Sequence, residues 1–260
     1  LFFILSLMPG ALFAAGAPDV DHLSAGKAAL DKGDPPRAIA EFEQVDSRDG
    51  LEWLAAALMM EARSPSDAFV ERAFAAAMRS RGNRQYQRNE LAASARSGDL
   101  VVVTLVGERH AFAWAFDRDH LIGYPLPAPA DLRAAVERAS TYAQRNDADG
   151  LARISEDLLP SLLGPGYERV PSLARLIVAA DSPLQALPLG RLPLAPSQRP
   201  LGEAVETIAT GYDGLAAAVR QPPAGPVHTP GASWWVGGSV VMLIAGVAAW
   251  RSWRRRRSVA

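Results

Sequence analysis

The residue types that perform chemistry are sparse in this chain and poorly grouped. Its 260 residues include no cysteine, which removes thiolate nucleophiles, thiolate metal sites and disulfides together. The four histidines, His22, His110, His120 and His228, fall in separate segments. Glu108-Arg109-His110 lacks the second histidine four positions away that would set two imidazoles on one helical face. His110 and His120 could approach each other across a hairpin and serve a metal or a proton transfer; the plainer reading makes them strand-edge residues. Asp117 and Asp119 invite calcium, yet the glycine and distal glutamate of an EF-hand loop are missing, which favours a solvated turn. Ser182 follows an apolar strand without the G-x-S-x-G elbow of a serine nucleophile. Gly164-Pro165-Gly166 lacks the Lys-Ser/Thr of a phosphate loop. The sequence therefore nominates no catalytic, cofactor-binding or metal-ligating residue, and no cofactor.

The elements that would position any site are easier to read. Leu173–Ala180 is a short apolar run closed by Asp181-Ser182-Pro183, the pattern of a buried strand ending in a turn. Beyond it Leu184, Leu187, Leu189 and Leu192 alternate with Pro188 and Pro193, which forbid a long helix. Upstream, Leu100–Val106 and Ala111–Phe116 read as strands joined at Gly107-Glu108-Arg109, the second carrying Phe112, Trp114 and Phe116 on one face and alanines on the other. His120–Tyr124 fits a third strand. A helix from Asp131 and a second bearing Leu151, Ile154, Leu158, Leu159 and Leu162 precede the Leu173 strand, a spacing that suits a crossover into a parallel sheet. Gly202–Thr210 reads as one more strand, and Asp213 as the N-cap of a short helix over Gly214–Arg220. Residues 18–98 are helical: a hairpin of Asp21–Asp34 and Pro36–Asp46, helices over Leu51–Arg63 and Ser66–Arg81 with Pro65 opening the latter, a basic surface connection over Ser80–Glu90, and a short helix at Glu90–Arg96. The fold class expected is α+β or α/β.

Two stretches resemble known families. Gly26, Ala38 and Phe42 stand at the small, small and aromatic positions of one tetratricopeptide unit, although His22, Ala25 and Ala29 replace its usual bulky residues. Asp181, Pro183, Leu184, Leu187 and Pro188 after an apolar strand resemble the middle of CHAT domains, caspase-like modules often found behind such repeats. The order hairpin, two helices, strand, strand and short helix over 99–220 is similar to the front half of that domain. The resemblance implies a partial caspase-like α/β domain. The family's catalytic histidine and cysteine lie further on, and neither maps onto any residue here.

Composition and the two ends set the expected location. Apolar residues at 49% and charged residues at 21% exclude wholesale disorder. The net charge is −1 and five arginines lie in 251–260, so the remainder carries −6, too acidic for a nucleic-acid-binding body. Residues 1–17 have the apolar core and small-residue zone of a secretory signal, with cleavage favoured after Gly16. Residues 221–233 form a proline-rich spacer. Trp234–Trp250 is an uncharged apolar run of 17 residues, about 25 Å as a helix, bracketed by tryptophans and followed by Arg251 and Arg254–Arg257 in a basic tail, 251–260. That pattern predicts a transmembrane helix with a cytoplasmic C-terminus. A tail of this kind also resembles bacterial sorting signals, although no recognition tripeptide precedes the span. The expected molecule is a bacterial, single-pass, type I protein of the plasma membrane with its body outside the cytoplasm. Its expected partners are the lipid bilayer and an unidentified polypeptide, bound without catalysis. The alternative is half of a split cysteine peptidase completed by another chain.

Overall fold

Alternation along three neighbouring strands fixes two buried faces at once. The computed structural model describes residues 18–82 and 88–222. Five helices, α1 (Pro18–Asp31), α2 (Pro35–Phe42), α3 (Arg48–Glu61), α4 (Ala68–Ser80) and α5 (Arg88–Ser94), lead into β1 (Asp99–Val106), β2 (Ala111–Phe116) and β3 (Leu121–Pro125). Helices α6 (Pro129–Arg145) and α7 (Ala148–Leu163) and a 3-10 segment (Gly164–Ser172) carry the chain across to β4 (Arg175–Ala179). A small ribbon of β5 (Pro193–Leu194) and β6 (Arg199–Pro200), the turn α8 (Leu201–Ala204), β7 (Glu206–Thr210) and α9 (Leu215–Arg220) complete it. The main sheet runs β3-β2-β1-β4-β7. β1 pairs in parallel with β4 and β4 with β7, while β2 is antiparallel to both of its neighbours. The molecule is an α+β fold built on a mixed sheet.

Both faces of that sheet are covered. Val101, Val103, Leu105, Phe112, Trp114, Phe116 and Ile177 join α3, α4, α5 and α9 in one core. Leu100, Val102, Ala113, Ala115, Leu176 and Val178 join α6 and α7 in the other. The large side chains of β2 thus meet the amino-terminal helices and its alanines meet the crossover helices. Phe74 packs edge-on to Trp114 and Phe116, with centroids 6.1 and 5.7 Å away, and the Trp114 Nε1–H donates to the Val70 carbonyl at 3.2 Å. Gly123 of β3 permits this approach, since a Cβ there would lie 2.7 Å from Val70 and 2.9 Å from Met59. In the first hairpin a Cβ on Gly26 would lie 2.4 Å from the Phe42 ring, so α1 and α2 close because that position carries no side chain.

Local chemistry moves several boundaries from their sequence-based positions. Helix α4 starts at Ala68, capped by the Asp67 carboxylate accepting from Phe69 N–H; Pro65 stays in the preceding turn, where its carbonyl accepts the Gly123 N–H at 2.9 Å. The expected strand over Gly202–Thr210 begins instead as the helical turn α8, which buries Leu201, and only Glu206–Thr210 pairs with β4. Gly214, and not Asp213, occupies the N-cap of α9, because Tyr212–Gly214 forms a 3-10 turn first. Among the described residues no helix is long and apolar enough to cross a membrane. The signal over 1–17 and the span over Trp234–Trp250 lie outside the described residues.

Candidate functional site

Parallel strands leave a crevice beyond their carboxyl ends wherever neighbouring connections depart in opposite directions. Here β1 hands over to β2 on one side and β4 leads toward β7 on the other. At that point lies an open cleft of about 340 Å³. Val106, Gly107 and Glu108 come from the end of β1, and Asp181 and Ser182 from the end of β4. Arg48, Asp49 and Glu52 from the start of α3, Arg81 from the end of α4 and Arg133 from the first turns of α6 supply the remaining walls.

Asp181 is the keystone of this cleft. Its Oδ1 accepts from Arg81 Nε at 3.1 Å and from its neighbour Ser182 N–H at 3.0 Å. Its Oδ2 accepts from Arg81 Nη2 and from Val106 N–H at 3.0 Å. The Asp181 N–H donates to Thr104 Oγ1 at 3.0 Å, and the buried Tyr212 hydroxyl donates to the Thr104 carbonyl. Four donors on two carboxylate oxygens occupy the acceptor sites of this side chain. Arg81 also donates through Nη1 to Glu52 Oε1, which accepts from Arg48 Nε at 3.1 Å. Burial works against the charge on Arg81, but the hydrogen bonds to Asp181 and Glu52 outweigh it and hold the guanidinium firmly protonated. Burial, reinforced by the Asp181 charge, pushes the Tyr212 hydroxyl well above its ordinary range, so it acts as a neutral donor. On the rim Asp49, Arg133 and Ser182 are exposed.

Neither the histidines nor the suspected loops converge on this place. His110 stands at the β1–β2 turn and His120 at the β2–β3 turn, at opposite ends of β2; they cannot meet, because the six residues of β2 separate them by about 20 Å. His110 packs edge-on to Trp53 with centroids 5.7 Å apart. His120 Nδ1 lies 3.3 Å from Asp117 Oδ1, His22 Nδ1 lies 2.9 Å from Glu41 Oε2, and His228 is outside the described residues. The Asp117 carboxylate closes its own turn, accepting N–H groups from Asp119 and His120 at 3.0 and 2.9 Å and Arg169 Nη1 at 3.0 Å. Burial opposes its ionisation, and those donors overcome it to hold the pKa below the ordinary 3.8. Among the described residues no three His, Cys, Asp or Glu side chains are placed to hold a metal. Gly166 faces the Leu100 side chain in the core, so Gly164-Pro165-Gly166 is a packing turn and not a phosphate loop.

No family model, curated protein or solved structure matches the chain. The cleft must therefore be understood from its own residues. Sequence reasoning reached Asp181 as a turn residue and part of a family-like phrase, and Ser182 as a turn residue and a disfavoured nucleophile. It missed Arg81 and Glu52, because Arg81 lies in a polar stretch that reads as surface; in the fold its side chain is only 8% exposed. The one available sign was a charge just past the apolar face of α4.

A second buried ion pair marks the other end of the strands. Arg175 donates through Nε and Nη2 to the Asp99 carboxylate at 3.0 and 2.5 Å, with both side chains almost wholly buried. Its remaining N–H groups reach the carbonyls of Ala218, Val219 and Gln221 at the end of α9. The hydrogen bonds to Asp99 hold Arg175 protonated despite burial.

Proposed function

We propose that this chain is a membrane-tethered, non-catalytic protein-binding module, with a body of CHAT-like descent behind a tetratricopeptide-like hairpin. The cleft beyond β1 and β4 carries that reading. It sits where open sheets bind ligands, its walls are charged, and the residues that line it include no histidine, cysteine or lysine. Nucleophilic catalysis needs an activated nucleophile beside a base; the rim offers the Ser182 hydroxyl, and the adjacent Asp181 carboxylate is fully occupied by other donors. Recognition is what such a surface does well. The tryptophan-bracketed run Trp234–Trp250 with its arginine stop supports tethering to a bilayer, and the leader over 1–17 supports export of the body.

A photo-crosslinking amino acid placed at Arg133 on the cleft rim, in the full chain in its native membrane, tests the proposal. The expected result is a discrete polypeptide adduct that is absent when the probe replaces Arg145, exposed at the far end of α6 about 18 Å away. Peptide-bond hydrolysis by the purified chain alone would overturn it.

One observation favours a second reading, a peptidase site completed by another polypeptide. β7 forms the edge of the sheet, and among the described residues nothing pairs with its outer side. The Ala180 N–H donates to the Thr210 carbonyl, so Thr210 and alternate residues face β4 while Thr207 and Ala209 turn their backbone groups outward, open to an added strand. A cysteine-directed activity probe would then label the companion polypeptide and never this chain.

A further inference from the structure

The two buried ion pairs lie at opposite ends of the same strands, and that fixes where the chain leaves the body. Arg175 and Asp99 face each other at the starts of β4 and β1, and Arg175 gathers the last carbonyls of α9, Gln221 included. The cleft begins at Val106 and Asp181, at the carboxyl ends of those strands. Seven steps along β1 separate Asp99 from Val106, about 23 Å. The end of α9 is no loose terminus: a buried guanidinium, itself held by a buried carboxylate, ties it to the sheet. Residue 222, the last one described and already within the proline-rich spacer, is therefore held near the pole farthest from the cleft.

We infer that the cleft is the membrane-distal face of the molecule and that its occupant is a charged, water-borne polypeptide segment, not a lipid and not a neighbouring transmembrane helix. The inference rests on the tethering proposed above and goes beyond it by giving the binding surface a direction. Four prolines between 221 and 231 give that stretch the composition of a stiff linker. Such a linker lets the body tilt, but the tether stays attached at the Arg175 pole and the cleft stays the farther end on average. The rim chemistry agrees with that direction. Asp49, Glu108 and Arg133 are exposed charges of both signs around the opening, a surface that would be costly against hydrocarbon and matches a polar peptide carrying both charges.

The lack of cysteine makes the test simple, because one introduced thiol carries one label. The full chain, tail included, bears Gln221→Cys or Arg133→Cys, is labelled with a donor fluorophore, and is reconstituted into phosphatidylcholine–phosphatidylglycerol vesicles containing a rhodamine-labelled lipid acceptor. The expected result is strong energy transfer from position 221 and a clear loss of transfer from position 133. Equal transfer from both sites, or stronger transfer from position 133, would overturn the orientation while leaving the tether intact. Failure of the unlabelled full chain to float with vesicles would overturn the tether, and the orientation with it.

Discussion

Two arginines buried against carboxylates mark the ends of the central strands, and they are the most informative residues in the molecule. Burying a charge is costly unless it is paired and its remaining donors are satisfied. Arg175 meets both conditions through Asp99 and three carbonyls. Asp99→Ala would leave that guanidinium buried and unpaired, with an expected loss of about 3–5 kcal/mol, measured by chemical denaturation of the full chain in detergent. Arg175→Lys should also destabilise, because an ammonium cannot reproduce the planar fork that meets carboxylate and carbonyls together. Asp117 gives a pH signature. Its native pKa is depressed, so its contribution is fully present above the ordinary 3.8 and is lost as pH falls through the lower native value. Asp117→Asn should lower the melting temperature by roughly 2–4 °C near neutrality, as expected for ~1 kcal/mol in a chain of this size. The gap from the unsubstituted chain should close below about pH 4. A gap that persisted unchanged into acid would contradict the hydrogen-bond account of this turn.

Among the elements, those whose periodicity is simple were legible in the residues and those set by competition were not. β1 follows from its continuous apolar run and β2 from its alternating aromatics and alanines, and the fold pairs them from Val101 with Phe116 through Val106 with Ala111. In the α1–α2 hairpin, whose small and aromatic positions were legible as Gly26, Ala38 and Phe42, the Phe42 ring approaches Gly26 closely and Ala38 is buried. By contrast, Gly202–Ala204 has enough small and polar residues to extend, yet burial of Leu201 where the turn packs on the Leu189–Arg191 segment and the β5–β6 ribbon favours a helical turn. Arg81 stayed hidden because its partner Asp181 is 100 residues away, and no local pattern reports a contact of that range. The hairpin yields a direct test: Gly26→Leu forces a branched side chain into the Phe42 ring and should cost about 1–3 kcal/mol, read as a lower melting temperature. At the sheet edge, Ala209→Pro removes an outward N–H while the residues facing β4 keep theirs. If a companion strand adds to β7, this substitution should abolish its co-purification without lowering the melting temperature by more than a few degrees; unchanged co-purification would exclude strand addition there.

At the scale of the whole molecule, one sheet is gripped by helices on both faces, with a charged cleft at one pole and residue 222 at the other. Charged walls at the cleft, on a body whose tail reads as a bilayer anchor, support the proposal that this protein holds another protein in place. The cleft-rim crosslink is expected to capture the proposed partner, and the fate of that polypeptide separates holding from cutting. The most direct measurement is the intact mass of the captured polypeptide before and after prolonged incubation with the purified full chain. The account predicts one unchanged mass and release at full length. A shorter product, formed by this chain in the absence of any companion polypeptide, would contradict it.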